Sequence, residues 1–234
     1  MSLRAILFDA GNTLLFLDFS RLAREVGPAI GVPLSPEELA AQARPAARAL
    51  ENGNSTDRER ASRYLESIFL LAGVAPEKLD VVRDTLLLMH REKHLWADLP
   101  EGTAAGLEAL AAAGYRLGVV SNSDGRVEEA LVAAGIRDHF ELVIDSQLVG
   151  VEKPDPRIFE LALERLGLGP AQALYVGDIY EVDVVGARRA SLDVILLDPL
   201  GLHAGREVRT ARSVAEVAEM ILGMDDATVT AVSR

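Results

Sequence analysis

The apolar positions of this chain follow two different periods in two different stretches. Ala5–Phe8 is a short run that is apolar on both faces, the pattern of a buried strand. Runs of the same kind recur at Tyr115–Val120, Phe140–Ile144, Ala173–Val176 and Val194–Leu197. Helical periods fill the gaps from Leu99 onward: Pro100–Ala113 stopped by Gly114, Asp124–Ala134 stopped by Gly135, Pro156–Leu166, Glu181–Ala190 and Ser213–Leu222. The tail Asp225–Arg234 is expected to fray. Strands alternating with helices predict an α/β fold built on a parallel, doubly wound sheet.

Between the first and second strands the period changes. No part of Asp18–Asp98 reads as a strand, and four helices are predicted there. The first is Phe19–Ile30. The second is Ser35–Leu50, with Ser35 as N-cap, Pro36 at the first helical position and Glu38 three residues on. After a break at ENGNS come Thr56–Ala72 and Pro76–Trp96. The expected organisation is a core made of 1–16 and 99–234 with an all-helical insertion over 17–98. No internal repeat is present.

Composition narrows the function classes. At 234 residues and 49% apolar, the chain can bury a sizeable core. No apolar stretch is long enough to span a bilayer, and MSLRAILFDAG is too short and too soon acidic for a signal peptide. Cysteine is absent, which excludes disulfides and thiolate zinc sites and fits the expectation of a cytoplasmic protein. A net charge of −12 without a basic run of five disfavours nucleic acid as a partner. A small anionic molecule remains compatible if one pocket is locally cationic; the expected assembly is a monomer or homodimer. His90 and His94 stand four apart on a helical face but lack the glutamate of a metalloprotease motif, so they read as a solvated face.

Candidate chemistry follows the strands. Asp9 ends the first apolar run, Ser121 and Asn122 end the second, and Gly177-Asp178 end a later one. Parallel strands bring such ends to one edge, where open α/β sheets bind ligands. Lys153 lies in the loop VEKPDP, and Asp183 follows Asp178 by five residues. Two like charges about 4 Å apart repel by about 4 kcal/mol at an effective dielectric of 20. A hard divalent cation such as Mg²⁺ relieves that repulsion and is typically held by one or two carboxylates plus substrate phosphate. The Ser121 hydroxyl and the Lys153 ammonium suit phosphate oxygens, and Asp9 is then placed to act as a nucleophile.

These segments resemble the four ordered motifs of the haloacid dehalogenase superfamily: FDAGNT, VVSN, EKPDPRIF and VGDIYEVDVVGARRA. The resemblance covers nearly the whole chain, because the helical insertion sits where that family carries a cap domain. It implies a Rossmann-like core in which Asp9 attacks the substrate and forms an aspartyl-phosphate. Mg²⁺ would be held by Asp9, Asp178 and the carbonyl of Gly11, with Asp183 supporting the metal shell. Ser121 and the amide of Asn122 would hold the transferring group, Lys153 would steady the charge, and the cap would choose the substrate, a small phosphate ester or anhydride.

Gly11 departs from the pattern. Phosphatases of this family carry an aspartate two residues after the nucleophile as general acid and base. That function is typically worth about 10²–10⁴-fold in rate. Its absence points to a substrate with a good leaving group, to a substitute proton donor, or to weak activity. Dehalogenases also begin Asp-Ala but dispense with Mg²⁺, against which Gly177-Asp178 and Asp183 argue. Phosphonatases need a cap lysine for an imine, and the early cap has none. The expectation is a Mg²⁺-dependent phosphatase, set against a nearly inactive binding protein or a 2-haloacid dehalogenase.

Overall fold

The computed structural model describes residues 2–50 and 57–232. Two compact units emerge, one formed by Met1–Phe16 with Asp98–Arg234 and the other by Leu17–Ala97.

The first unit is a six-stranded parallel sheet. In chain order its strands are β1 (Ala5–Phe8), then β4 (Arg116–Ser121), β5 (Leu142–Asp145), β6 (Ala173–Gly177), β7 (Asp193–Leu197) and β8 (Arg209–Ala211). The two remaining strands, β2 (Phe16–Leu17) and β3 (Trp96–Asp98), form a separate ribbon. The spatial order of the large sheet is β5-β4-β1-β6-β7-β8. All four residues of β1 are fully buried, as a strand with helices on both faces requires. The chain leaves β1 for β4 on one side and later returns to β6 on the other, so the strand order reverses around β1. In doubly wound sheets such a reversal opens a crevice beyond the strand C-termini. Phe8 is level with Val119 of β4 and Val176 of β6, which brings the three strand ends together. Helices α6 (Thr103–Ala112), α7 (Val127–Ala133), α8 (Ser146–Val149), α9 (Arg157–Leu166), α10 (Val185–Arg189) and α11 (Val214–Val232) complete a Rossmann-like fold. One side of the core joins Leu7, Val120 and Tyr175 of the sheet to Ile158, Phe159 and Ala187 of the helices.

The second unit contains α1 (Phe19–Ile30), α2 (Pro36–Ala41), α3 (Ala43–Leu50), α4 (Asp57–Leu71) and α5 (Leu79–Glu92). They bury Leu22, Val26, Leu39, Ile68, Phe69 and Val82 in one cluster. Asp18 caps α1 by accepting from the Arg21 N–H at 2.8 Å. The largely buried Arg21 guanidinium donates to the carbonyl of Lys93 at 2.8 Å and to that of Met89 at 2.6 Å, the latter also accepting from the Lys93 N–H at 3.0 Å, and so ties down the end of α5. Arg21→Met is therefore expected to lower stability by about 1–3 kcal/mol, the usual cost of leaving one buried acceptor, here the Lys93 carbonyl, without its donor. Urea unfolding measures this, and a loss below about 0.5 kcal/mol would show water taking over that carbonyl.

Several predicted elements change. Ser35–Leu50 is two helices, parted at Gln42. Pro76–Trp96 begins as a 3₁₀ turn at Pro76–Lys78, and α5 stops at Glu92. Trp96–Asp98 is the strand β3, paired with β2, where the sequence suggests none. Pairing across the whole helical insertion leaves no local trace in either short segment. Strand β8 is equally unexpected, being three residues with one buried. Helix α11 runs on to Val232, beyond the expected frayed end. Thr56 and the ENGNS break lie outside the described residues. Among the described residues no helix is long and apolar enough to cross a membrane.

Candidate active site

Asp9 follows β1 directly, and its N–H bonds the Val176 carbonyl at 2.8 Å, tying it to β6. The turn beyond it is tight: the N–H groups of Leu14 and Leu15 both reach the Ala10 carbonyl at 2.9 Å. Asn12 takes a left-handed φ of 53°, a conformation asparagine tolerates better than most residues. Gly11 lies in this turn, bridged to Leu15.

The Asp9 carboxylate is buried, and its Oδ1 accepts two hydrogen bonds. The Ser121 hydroxyl donates at 2.9 Å and the Lys153 ammonium at 2.7 Å. Both donors are themselves almost fully buried. Burial pushes the Asp9 carboxyl up to about 6; the Lys153 charge works against that rise and the Asp183 charge adds to it.

Lys153 is held from two directions. Its backbone N–H donates to the Asn122 Oδ1 at 2.8 Å, and its carbonyl accepts from Asn122 Nδ2 at 3.0 Å. The Asn122 side chain is thus committed to positioning the lysine loop. At the other end, the ammonium also donates to Asp183 Oδ1 at 2.8 Å and to the Tyr175 hydroxyl at 2.9 Å.

Asp183 is 1% exposed, and both of its oxygens are occupied. Oδ2 accepts from the N–H groups of Asp178 at 3.1 Å and Ile179 at 2.8 Å, so this carboxylate shapes the loop that carries Asp178. A π-helical turn over Tyr180–Val184 presents it, with the Asp183 N–H bonded to the Ile179 carbonyl at 2.7 Å. Gly177 is required here, since a Cβ would lie 2.4 Å from the Asp183 carboxyl carbon.

Asp9, Asp178 and Asp183 each offer a carboxylate oxygen within 4.8 Å of the other two. Three converging hard oxygens with one lysine among them fit a divalent cation of the Mg²⁺ type. With the oxygens of Asp183 already bonded, Asp9 and Asp178 are the better-placed direct ligands. The structure therefore brings Asp9, Ser121, Lys153, Asp178 and Asp183 into one cluster, with Asn122 joined to it through the lysine backbone.

Two further parts of the site, the Asp145–Ser146 pair and Tyr175, do not stand out in the sequence. Asp145, 3% exposed, ends β5 and accepts from the N–H groups of Gly125 at 3.1 Å and Val127 at 3.3 Å, pinning the loop that follows Ser121. Ser146 adds to this by accepting from the Ser123 N–H at 3.1 Å. A signal exists for Asp145, which also closes an apolar run. The other is Tyr175, whose phenol meets Lys153 and Asp183. Burial pushes its pKa well above the ordinary value and the Asp183 charge adds to that, so it remains a neutral phenol. The two histidines do not share a helical face: α5 ends at Glu92, and His94 lies beyond it with Nδ1 3.2 Å from the Trp96 carbonyl.

Residues 3–191 match the model of the haloacid dehalogenase-like hydrolase family. The chain belongs to that family. It is accordingly a hydrolase, and the cluster around Asp9 is its candidate active site. Haloacid dehalogenase-like hydrolase domain-containing protein 3 of Mus musculus is 39% identical over 130 residues, 55% of this chain and 51% of its own length. The chain thus matches about half the length of that relative. A glyceraldehyde 3-phosphate phosphatase of Methanothermobacter thermautotrophicus is 32% identical over 211 residues, covering 88% of this chain and 90% of its own. Among solved structures, the HAD-hydrolase YfnB of Bacillus subtilis, bound to magnesium, superposes with a TM-score of 0.66 at 20% identity, covering 95% of this chain and all of its own.

Proposed function

We propose that this hydrolase is a Mg²⁺-dependent phosphatase that cleaves a small phosphorylated metabolite through an aspartyl-phosphate on Asp9. The observation that carries the reading is the division of labour on one carboxylate. Oδ1 of Asp9 is pinned by Ser121 and Lys153, and no hydrogen bond from a described residue falls on Oδ2. Oδ2 attacks phosphorus, and the ester oxygen departs with the bonding pair. Water then attacks the phosphorus of the acyl phosphate, releasing inorganic phosphate and restoring the carboxylate. Mg²⁺ held by Asp9, Asp178 and the Gly11 carbonyl would supply electrostatic stabilisation of the phosphoryl charge. Lys153 contributes a positive charge beside the nucleophile, while Ser121 and the backbone N–H of Asn122 steady the transferring oxygens. Asp183 acts by holding Lys153 and the Asp178 loop. The helical unit Leu17–Ala97 is assigned the part of a substrate-selecting cap. The archaeal relative supports a three-carbon phosphate ester as the first substrate to try.

The test is hydrolysis of glyceraldehyde 3-phosphate, p-nitrophenyl phosphate and acetyl phosphate, each with Mg²⁺ and with EDTA. Metal-dependent phosphate release is expected. Release unaffected by EDTA, or halide release from 2-chloropropionate without phosphate-ester hydrolysis, overturns the reading.

Gly11 in place of a general acid makes leaving-group quality decisive. Gly11→Asp is expected to raise turnover of an alkyl phosphate by about tenfold or more, part of what general acid–base catalysis supplies. Turnover of acetyl phosphate should change much less. An equal change for both, or none, would show that protonation of the leaving group does not limit the wild type.

A further inference from the structure

The ammonium of Lys153 has three N–H bonds and meets three acceptors. Two are carboxylate oxygens, Asp9 Oδ1 and Asp183 Oδ1; the third is the Tyr175 hydroxyl at 2.9 Å. That hydroxyl lies 2.9 Å from Asp183 Oδ1 and 3.1 Å from the Val120 carbonyl, so its own proton has two acceptors within reach. Lys153, Tyr175 and Asp183 close a triangle of hydrogen bonds. Val120 immediately precedes Ser121, the other donor to Asp9. A single phenol therefore touches both arms that fix the nucleophile, the lysine directly and the serine through its strand. The ring is fully buried and packs edge-on to Phe159, with centroids 4.9 Å apart at 89°, which leaves it little freedom.

We infer that Tyr175 is a positioning residue for the reaction of Asp9, holding the Lys153 ammonium in register by accepting its third proton. The inference rests on the Asp9-centred phosphoryl transfer proposed above. A neutral acceptor is the right chemistry at this corner. A third carboxylate would add charge to a site that already has a surplus of it, and an apolar side chain would strand an N–H. In Tyr175→Phe the ammonium loses one of its three anchors and the nucleophile one degree of orientation. Misplacement of catalytic groups costs rate more than ground-state binding. Turnover should fall about tenfold to a hundredfold while KM stays within about threefold.

The experiment pairs kinetics with a direct view of the lysine. The chain contains three lysines, so ¹⁵N-lysine labelling gives a simple ammonium spectrum in which Lys153 is assigned by its loss in Lys153→Met. In Tyr175→Phe, a displaced or fast-exchanging Lys153 resonance together with the fall in kcat supports the inference. An unmoved resonance, or unchanged kcat in a folded variant, overturns it. Should the wild type hydrolyse no phosphate ester, the functional reading fails, and the ammonium resonance alone decides whether Tyr175 positions Lys153. If Tyr175→Phe does not fold, 3-fluorotyrosine at position 175 keeps the ring and weakens the oxygen as an acceptor. A smaller displacement in the same direction is then expected, and none would overturn the inference.

Discussion

Asp9→Asn is expected to abolish phosphate-ester hydrolysis, by on the order of 10⁴–10⁶-fold, because an amide cannot replace the carboxylate as nucleophile. The fold should survive, since the amide oxygen can still accept from Ser121 and Lys153. Stability should respond in a characteristic way. Burial raises the Asp9 carboxyl to about 6 from an ordinary 3.8, so the native state binds that proton more tightly than the unfolded chain. Its contribution to stability is full below about pH 4 and is lost as pH rises through 6. The difference amounts to about 3 kcal/mol for the metal-free wild type across that window. The Asn variant should lack this slope, and at neutral pH in EDTA it should be at least as stable as the wild type. Urea denaturation at several pH values reads both effects; a variant less stable at pH 8 than at pH 4.5 by the wild-type margin would show that Asp9 is not the group responsible.

Lys153→Met should be the most damaging single change to the metal-free protein. The ammonium is almost fully buried between Asp9 at 2.7 Å and Asp183 at 2.8 Å. Removing it leaves two buried carboxylates facing one another without compensation, a class of change that costs about 3–5 kcal/mol. The sign with pH again follows from protonation. The Asp9 carboxyl, already raised by burial, loses in this variant the Lys153 charge that holds it down, so the deficit should grow as pH rises and shrink as it falls. A deficit that stays constant from pH 5 to pH 8 would indicate lost packing rather than unpaired charge. Turnover should fall by about 10³-fold or more, as expected when a charge beside the reacting group is removed.

Much of the site is legible in the order of residues along the chain. Asp9, Ser121 and Asp178 each close an apolar run, and a parallel sheet collects such ends at one edge. Asp183 follows from the same logic, five residues past Asp178 and so in the first turn of the next helix. What it does there is not legible. Its oxygens brace the Asp178 loop and pair with Lys153, beside the metal-shell support that the family resemblance implies. The Asn122 side chain has a further part that is equally illegible, since it holds the lysine backbone. Tyr175 escapes notice because a tyrosine inside a buried strand is first of all core, and only strand register shows that its hydroxyl reaches Lys153.

By itself, the sequence determined the α/β alternation, the helical insertion between the first two strands and the chemistry available at the sheet edge. Those follow from local periodicity and from polar residues that end apolar runs, both written in consecutive positions. The tertiary structure alone decided which oxygen of Asp9 is pinned, which acceptors share the ammonium, and where short strands pair across long separations. The ammonium's partners stand from 22 to 144 positions away along the chain, and no local pattern encodes such contacts. The physical reason is the low dielectric of the buried site, where each proton must find a partner and only the assembled fold says which one.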